Sequence, residues 1–149
     1  KISSSAIREN IKSGKFELAN KDLERNFSVA GKVIKGDQRG RAIGIPTANL
    51  EYPLNTITIP YGVYAVETLI EGNTYFGIVN FGIRPTFNKD KPIVEAYLFD
   101  FDNDIYDKDI EILFHKQIRQ EKKFNDIKEL LNQINIDIAE AKKILKYGN

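Results

Sequence analysis

Short apolar runs of strand length fill the middle of the chain, and apolar positions recur at the helical period only near its two ends. At the start, Ser4 or Ser5 can cap a short helix running to residue 12 or 13, with Gly14 as its stop. A second short helix is predicted over 16–23. From Phe27 the period becomes that of strands, with runs at 28–34, 57–59, 62–70, 74–81, 93–101 and 109–114. Turn residues at 71–73, 88–90 and 102–104 separate them. Six short antiparallel strands predict a mainly β fold closed into a barrel, because closure leaves no exposed edge. The chain ends on a predicted helix. Asn125 is its expected N-cap, and Ile127, Leu130, Leu131, Ile134, Ile138, Ala141 and Leu145 form an apolar stripe to cover one end or side of the barrel. Asn135, near the middle, is an expected kink or break.

Composition changes this picture mainly by exclusion. A formal net charge of +1 over 149 residues argues against a nucleic-acid binder working through bulk positive charge. One histidine, His115, and no cysteine exclude a multi-histidine metal site, a cysteine-ligated zinc and a disulfide framework. No apolar run approaches the roughly 20 residues a membrane-spanning helix needs. The expectation is a soluble cytoplasmic protein acting on small molecules, with neither nucleic acid nor membrane as partner.

Two stretches carry candidate chemistry. In the first, over 31–49, glycines at 31, 36, 40 and 44 are interleaved with Lys35, Arg39 and Arg41 and lead into Pro46-Thr47-Ala48-Asn49. Such a segment can bring bare backbone N–H groups and positive charge to a polyanion. On an extended backbone Thr47 and Asn49 project from one face, and their oxygens suit a hard cation such as Mg²⁺ arriving with phosphates. On spacing alone, a basic hairpin connection fits the same residues. In the second stretch, Glu95 stands alone in the apolar run 93–99, where a buried carboxylate needs a reason. A glutamate facing outward in the alternation fits as well as a functional one.

Together, the spacing Gly31-x₄-Gly36-x₃-Gly40-x₃-Gly44-x-Pro46-Thr47-Ala48-Asn49 resembles the nucleotide loop of riboflavin kinases. It is most similar to the kinase module in the C-terminal part of bacterial bifunctional riboflavin kinase/FAD synthetases. Pro60-Tyr61-Gly62-Val63-Tyr64, the run 80–87 with Arg84-Pro85-Thr86-Phe87, and the runs 95–101 and 119–124 agree in the family's order. The resemblance implies a six-stranded antiparallel Greek-key (split) barrel with short N-terminal helices and a C-terminal helix. It implies transfer of the γ-phosphoryl group of ATP to the ribityl 5′-hydroxyl of riboflavin, giving FMN and ADP.

Carried over by position, Glu95 is the expected catalytic base. Gly36, Arg41, Thr47, Asn49, Leu98, Asp100 and Tyr106 are the expected ATP-binding residues, with Thr47 and Asn49 holding Mg²⁺. Arg119, Lys122 and Phe124 are expected on a turn that covers the flavin as a lid. Ser3-Ser4-Ser5-Ala6-Ile7-Arg8 resembles the segment ending the adenylyltransferase module of the bifunctional enzymes. Residues 1–26 are therefore expected as linker and tail of that covalently linked module, and 27–149 as the kinase domain. The rival readings are a passive flavin- or nucleotide-binding barrel and an RNA-contacting barrel. The first would bind flavin without MgATP-dependent turnover; the second would show binding that weakens steeply with salt.

Overall fold

The structure, a computed structural model, describes residues 4–35, 47–53, 55–83 and 91–148. The expectations placed on Gly36, Arg41, 84–87 and the turn 88–90 lie outside the described residues.

Two helices come first, α1 (Ser4–Lys12) and α2 (Phe16–Leu23), as the sequence predicts. Six strands follow: β1 (Ser28–Lys32), β2 (Ala48–Glu51), β3 (Gly62–Ile70), β4 (Asn73–Gly82), β5 (Ile93–Leu98) and β6 (Asp109–Gln120). The last element is α3 (Ile127–Ile144). All strand pairs are antiparallel, in the order β1-β6-β3-β4-β5-β2. Strands β3, β4 and β5 form a meander and β6 returns beside β3, which is a Greek key. Beyond β1, Ile34 bridges to Asn49 of β2, so the two outer strands meet and the barrel nearly closes.

Alternation decides which side chains face inward. Tyr64, Val66, Val79, Phe81, Val94, Ala96, Ile112 and Phe114 are all buried in one core. Helix α2 belongs to that core, because Phe16 packs on Phe27, Tyr64 and Phe114 with ring centroids 5.3–5.5 Å apart. Burying the Phe16 side chain contributes about 2–3 kcal/mol. The β3–β4 hairpin turns on Glu71 and Gly72, with φ of +50° and +83°. Positive φ at both central residues is what a tight two-residue hairpin requires.

The opposite face of the sheet is partly covered by α3. Ile138, Ala141 and Ile144 pack on Val63, Ala65 and Ile78 in a second core. The helix therefore covers a side of the barrel, over β3, β6 and the part of β4 that carries Phe76 and Ile78.

Several local expectations are corrected. Residues 57–59 are not a strand; Ile59 is buried on irregular backbone, and Tyr52 donates a 2.5 Å hydrogen bond to the Ile57 carbonyl. The second strand is instead Ala48–Glu51. Strand β6 runs on to Gln120, with two register shifts against β3, between Val63 and Tyr64 and between Ala65 and Val66. Strand β5 stops at Leu98, where Phe99 and Asp100 turn the chain. The N-cap of α3 is Asp126, whose carboxylate accepts from the Glu129 N–H at 2.8 Å, while the Glu129 side chain accepts from the Asn125 N–H. The helix runs unbroken through Asn135, and Ile127 is 60% exposed rather than part of the buried stripe.

Candidate active site

Where β1 leaves the barrel and β2 enters it, the chain leaves a cleft of about 190 Å³. Val33, Lys35, Thr47, Asn49, Leu98 and Tyr106 are among its walls. The walls are held by backbone. Ile34 donates to the Asn49 carbonyl at 2.8 Å, Val33 to the Lys108 carbonyl at 2.9 Å, and Asp107 to the Val33 carbonyl at 3.0 Å. Lys35 places its ammonium 5.4 Å from the centre of the Tyr106 ring. A half-exposed aromatic ring and a cation at the mouth of a cleft with mixed polar and apolar walls suit a ligand with a flat ring and an attached negative charge.

Beside this cleft, the register builds a row on the outer face of the sheet. Asn49 lies opposite Glu95, and Glu95 opposite Asn80. Asn80 lies opposite Val63, and Val63 opposite Arg119. Directly paired residues point to the same side, so the row runs Asn49, Glu95, Asn80, Val63, Arg119 across five strands. With about 4.8 Å between strands, Glu95 and Arg119 stand about 14 Å apart along it. Glu95 is half-buried, and the Thr47 hydroxyl donates a long 3.4 Å contact to its carboxylate. Asn49 is buried at 5% exposure.

At the far end Arg119 is fixed rather than free. Its Nε lies 3.0 Å from both carboxylate oxygens of Asp137, and its Nη2 lies 2.9 Å from Oδ2. Asp137, on α3, is 1% exposed and also accepts from Gln133 at 3.0 Å. The guanidinium carbon and the Lys122 ammonium each lie 5.7 Å from the centre of the Phe124 ring. Arg119 is thus a strand residue clamped to a helix. Only Lys122 and Phe124 lie in the connection between β6 and α3, which corrects the expectation that the whole segment is a turn.

The sequence-predicted residues therefore fall into two groups. Thr47, Asn49, Leu98 and Tyr106 come together at the cleft, with Glu95 at its edge; Arg119, Lys122 and Phe124 come together at the other end of the row. Asp100 joins neither. It has a φ of +55°, is exposed, and accepts a hydrogen bond from the Tyr147 hydroxyl after α3. That bond, with burial a smaller cause, raises the Tyr147 pKa above its ordinary value. Sequence reasoning placed Asn80 only inside a family-like run. The signal that could have singled it out is a polar residue at an outward position of β4, directly opposite Glu95.

Thr47, Asn49 and Glu95 offer oxygen donors of the kind a small hard cation takes together with phosphate oxygens and water. Among the described residues no group of three or more His, Cys, Asp or Glu could hold a metal alone. The donor set therefore fits a cation that arrives with its substrate.

Comparison with known proteins gives three kinds of match. A family model described as Flavokinase: Riboflavin kinase matches residues 23–145. The bifunctional riboflavin kinase/FMN adenylyltransferase of Bacillus subtilis is 46% identical over 144 residues, 95% of this chain and 46% of that protein. The chain thus spans about half the length of the curated relatives it matches. Among solved structures, a Streptococcus pneumoniae protein described as a macrolide-efflux protein superposes with a TM-score of 0.84 at 34% identity, over 96% of this chain and 47% of that one. That description concerns a protein twice as long. Among the described residues here, no helix is long and apolar enough to cross a membrane. The riboflavin kinase of Trypanosoma brucei superposes with a TM-score of 0.57 at 21% identity, over 81% of this chain and 80% of that one, a likeness of fold.

Proposed function

Because the chain belongs to the riboflavin kinase family, we propose that it transfers the γ-phosphoryl group of ATP to the ribityl 5′-hydroxyl of riboflavin, giving FMN and ADP. The observation that carries the reading is the row itself. It sets a carboxylate, Glu95, between a cleft suited to a nucleotide and an aromatic-cationic cluster suited to a flat ring. In this reading the nucleotide base lies between Leu98 and Tyr106, with its phosphates toward Thr47 and Asn49. The flavin ring lies against Arg119, Lys122 and Phe124. The ribityl chain reaches in from the connection at 122–124 past Asn80 and brings its terminal hydroxyl to Glu95, which takes the hydroxyl proton as the oxygen attacks phosphorus. Thr47 and Asn49 would hold Mg²⁺, which neutralises charge on the phosphates.

The same reading gives the chain a covalently linked FMN adenylyltransferase module as partner and a cytoplasmic setting. Residues 1–26 form the connection and 27–149 the kinase domain, with α2 packed into the kinase core.

Incubating the chain with riboflavin and MgATP and separating the flavins chromatographically tests the reading. FMN and ADP should appear in equal amounts, and chelation of the metal should abolish both. Flavin bound but never phosphorylated would overturn the assignment and leave a passive binding barrel.

A further inference from the structure

Glu95 is flanked by an amide on each side, and the two amides differ. Asn49 lies toward the nucleotide cleft and lines it. Asn80 lies on the other side, between Glu95 and the Arg119 cluster, and lines no wall of that cleft. Its side-chain oxygen is buried and makes no hydrogen bond. Leaving a buried acceptor unpaired is costly, so its persistence beside a proposed catalytic carboxylate asks for a ligand that pairs it. The next position along the row is Val63, which offers no polar group and is covered by α3.

The class of ligand follows from position. A substrate with its flat ring at Lys122 and Phe124, on the connection beyond β6, and a hydroxyl at Glu95 brings its connecting chain past Asn80, the row position next to Glu95. The riboflavin chain is a polyol, and its secondary hydroxyls are donors matched to a lone acceptor. We propose that the Asn80 side-chain carbonyl accepts a hydrogen bond from a secondary hydroxyl of the ribityl chain, and thereby aims the terminal hydroxyl at Glu95. Asn80 then serves recognition of the polyol rather than of the ring or the nucleotide. This rests on the kinase reading above for the direction in which the flavin lies.

The test separates the two claims, because it reads binding and needs no turnover. Riboflavin and lumiflavin, which has the same ring without the polyol, are titrated onto the parent chain and Asn80→Ala, with flavin fluorescence as the signal. Loss of one buried hydrogen bond predicts about tenfold weaker riboflavin binding by Asn80→Ala and unchanged lumiflavin binding. The KM for MgATP should stay within about twofold of the parent, as expected where no nucleotide contact is lost. Equal weakening of both flavins would make Asn80 a structural residue and overturn the proposal, as would unchanged affinity for both. Should Asn80→Ala not fold, Asn80→Leu, which keeps the size of the side chain and removes the acceptor, gives the same ratio of ratios. A parent chain that binds riboflavin without phosphorylating it would refute the kinase reading, while the riboflavin-to-lumiflavin ratio would still decide the role of Asn80.

Discussion

The two ends of the outer-face row are built from different forces. At the cleft end, Thr47, Asn49 and Leu98 are placed by backbone pairing of β2 and β5 and by the bridge from Ile34. At the other end, Arg119 is placed by one side-chain clamp, a carboxylate buried on α3. A backbone ladder spreads its stabilisation over many bonds, so a single side chain there can be altered without moving its neighbours. A clamp concentrates it in one pair of groups, and the geometry fails when either group is lost. Substrate recognition at the two ends should therefore differ in how strongly it is tied to folding.

Breaking the clamp should have the largest effect. Arg119→Ala leaves Asp137 buried with Gln133 as its remaining partner among the described residues, and removing one member of such a pair costs about 3 kcal/mol. Asp137→Ala should cost less, because Arg119 is 17% exposed against 1% for Asp137 and can turn toward water. Denaturant unfolding gives the stabilities, and steady-state kinetics should show the KM for riboflavin rising in both variants while the KM for MgATP holds. Equal loss for both substrates would erase the distinction between the ends.

At the cleft end the expected effect is smaller and confined to function. Thr47→Ala should raise the KM for MgATP about tenfold, the loss of one hydrogen bond to a charged group. Its unfolding midpoint and riboflavin affinity should match the parent. A large drop in stability would mean that this end, too, depends on a side-chain contact.

The smallest effect concerns the barrel on which both ends rest. Burial raises the phenols of Tyr52 and Tyr64 well above their ordinary 10.0, and for Tyr64 the neighbouring Tyr52 adds to the shift. The folded chain thus holds these protons more tightly than the unfolded chain. Stability from this source is intact below about pH 10 and declines above it, as the unfolded phenols ionise first. A thermal midpoint that falls above pH 10 in the parent, and falls less in Tyr64→Phe, would bear this out.

How much of this was legible in the sequence differs between the ends in the same way. Strands β3 and β4 follow from runs rich in β-branched and aromatic residues bounded by turn residues, and α2 from a short amphipathic run. Strand β2 was hidden because its four residues, Ala48–Glu51, directly follow a glycine-rich segment and carry too little alternation to separate from it. Residues 57–59 mimic a strand because Ile59 must be buried, yet among the described residues no strand takes up their backbone groups. Strand β6 reads as ending at Phe114 because two bulges break its period just beyond, and those bulges bring Arg119 opposite Val63. The Arg119–Asp137 clamp joins residues far apart in the chain through tertiary packing, and no local pattern encodes it. Asn125 and Asp126 are both able caps, and only the geometry chooses between them.

The central claim is that Glu95, set between the two ends, takes the proton of the substrate hydroxyl. Glu95→Gln keeps the size and shape of the side chain and removes its basicity. Rapid-quench measurement of FMN formation, with riboflavin and MgATP both saturating, is the direct test. If Glu95 is the base, the rate falls at least about a hundredfold below the parent, with both substrates still bound. A rate within a few-fold of the parent would contradict it and remove Glu95 from the chemistry.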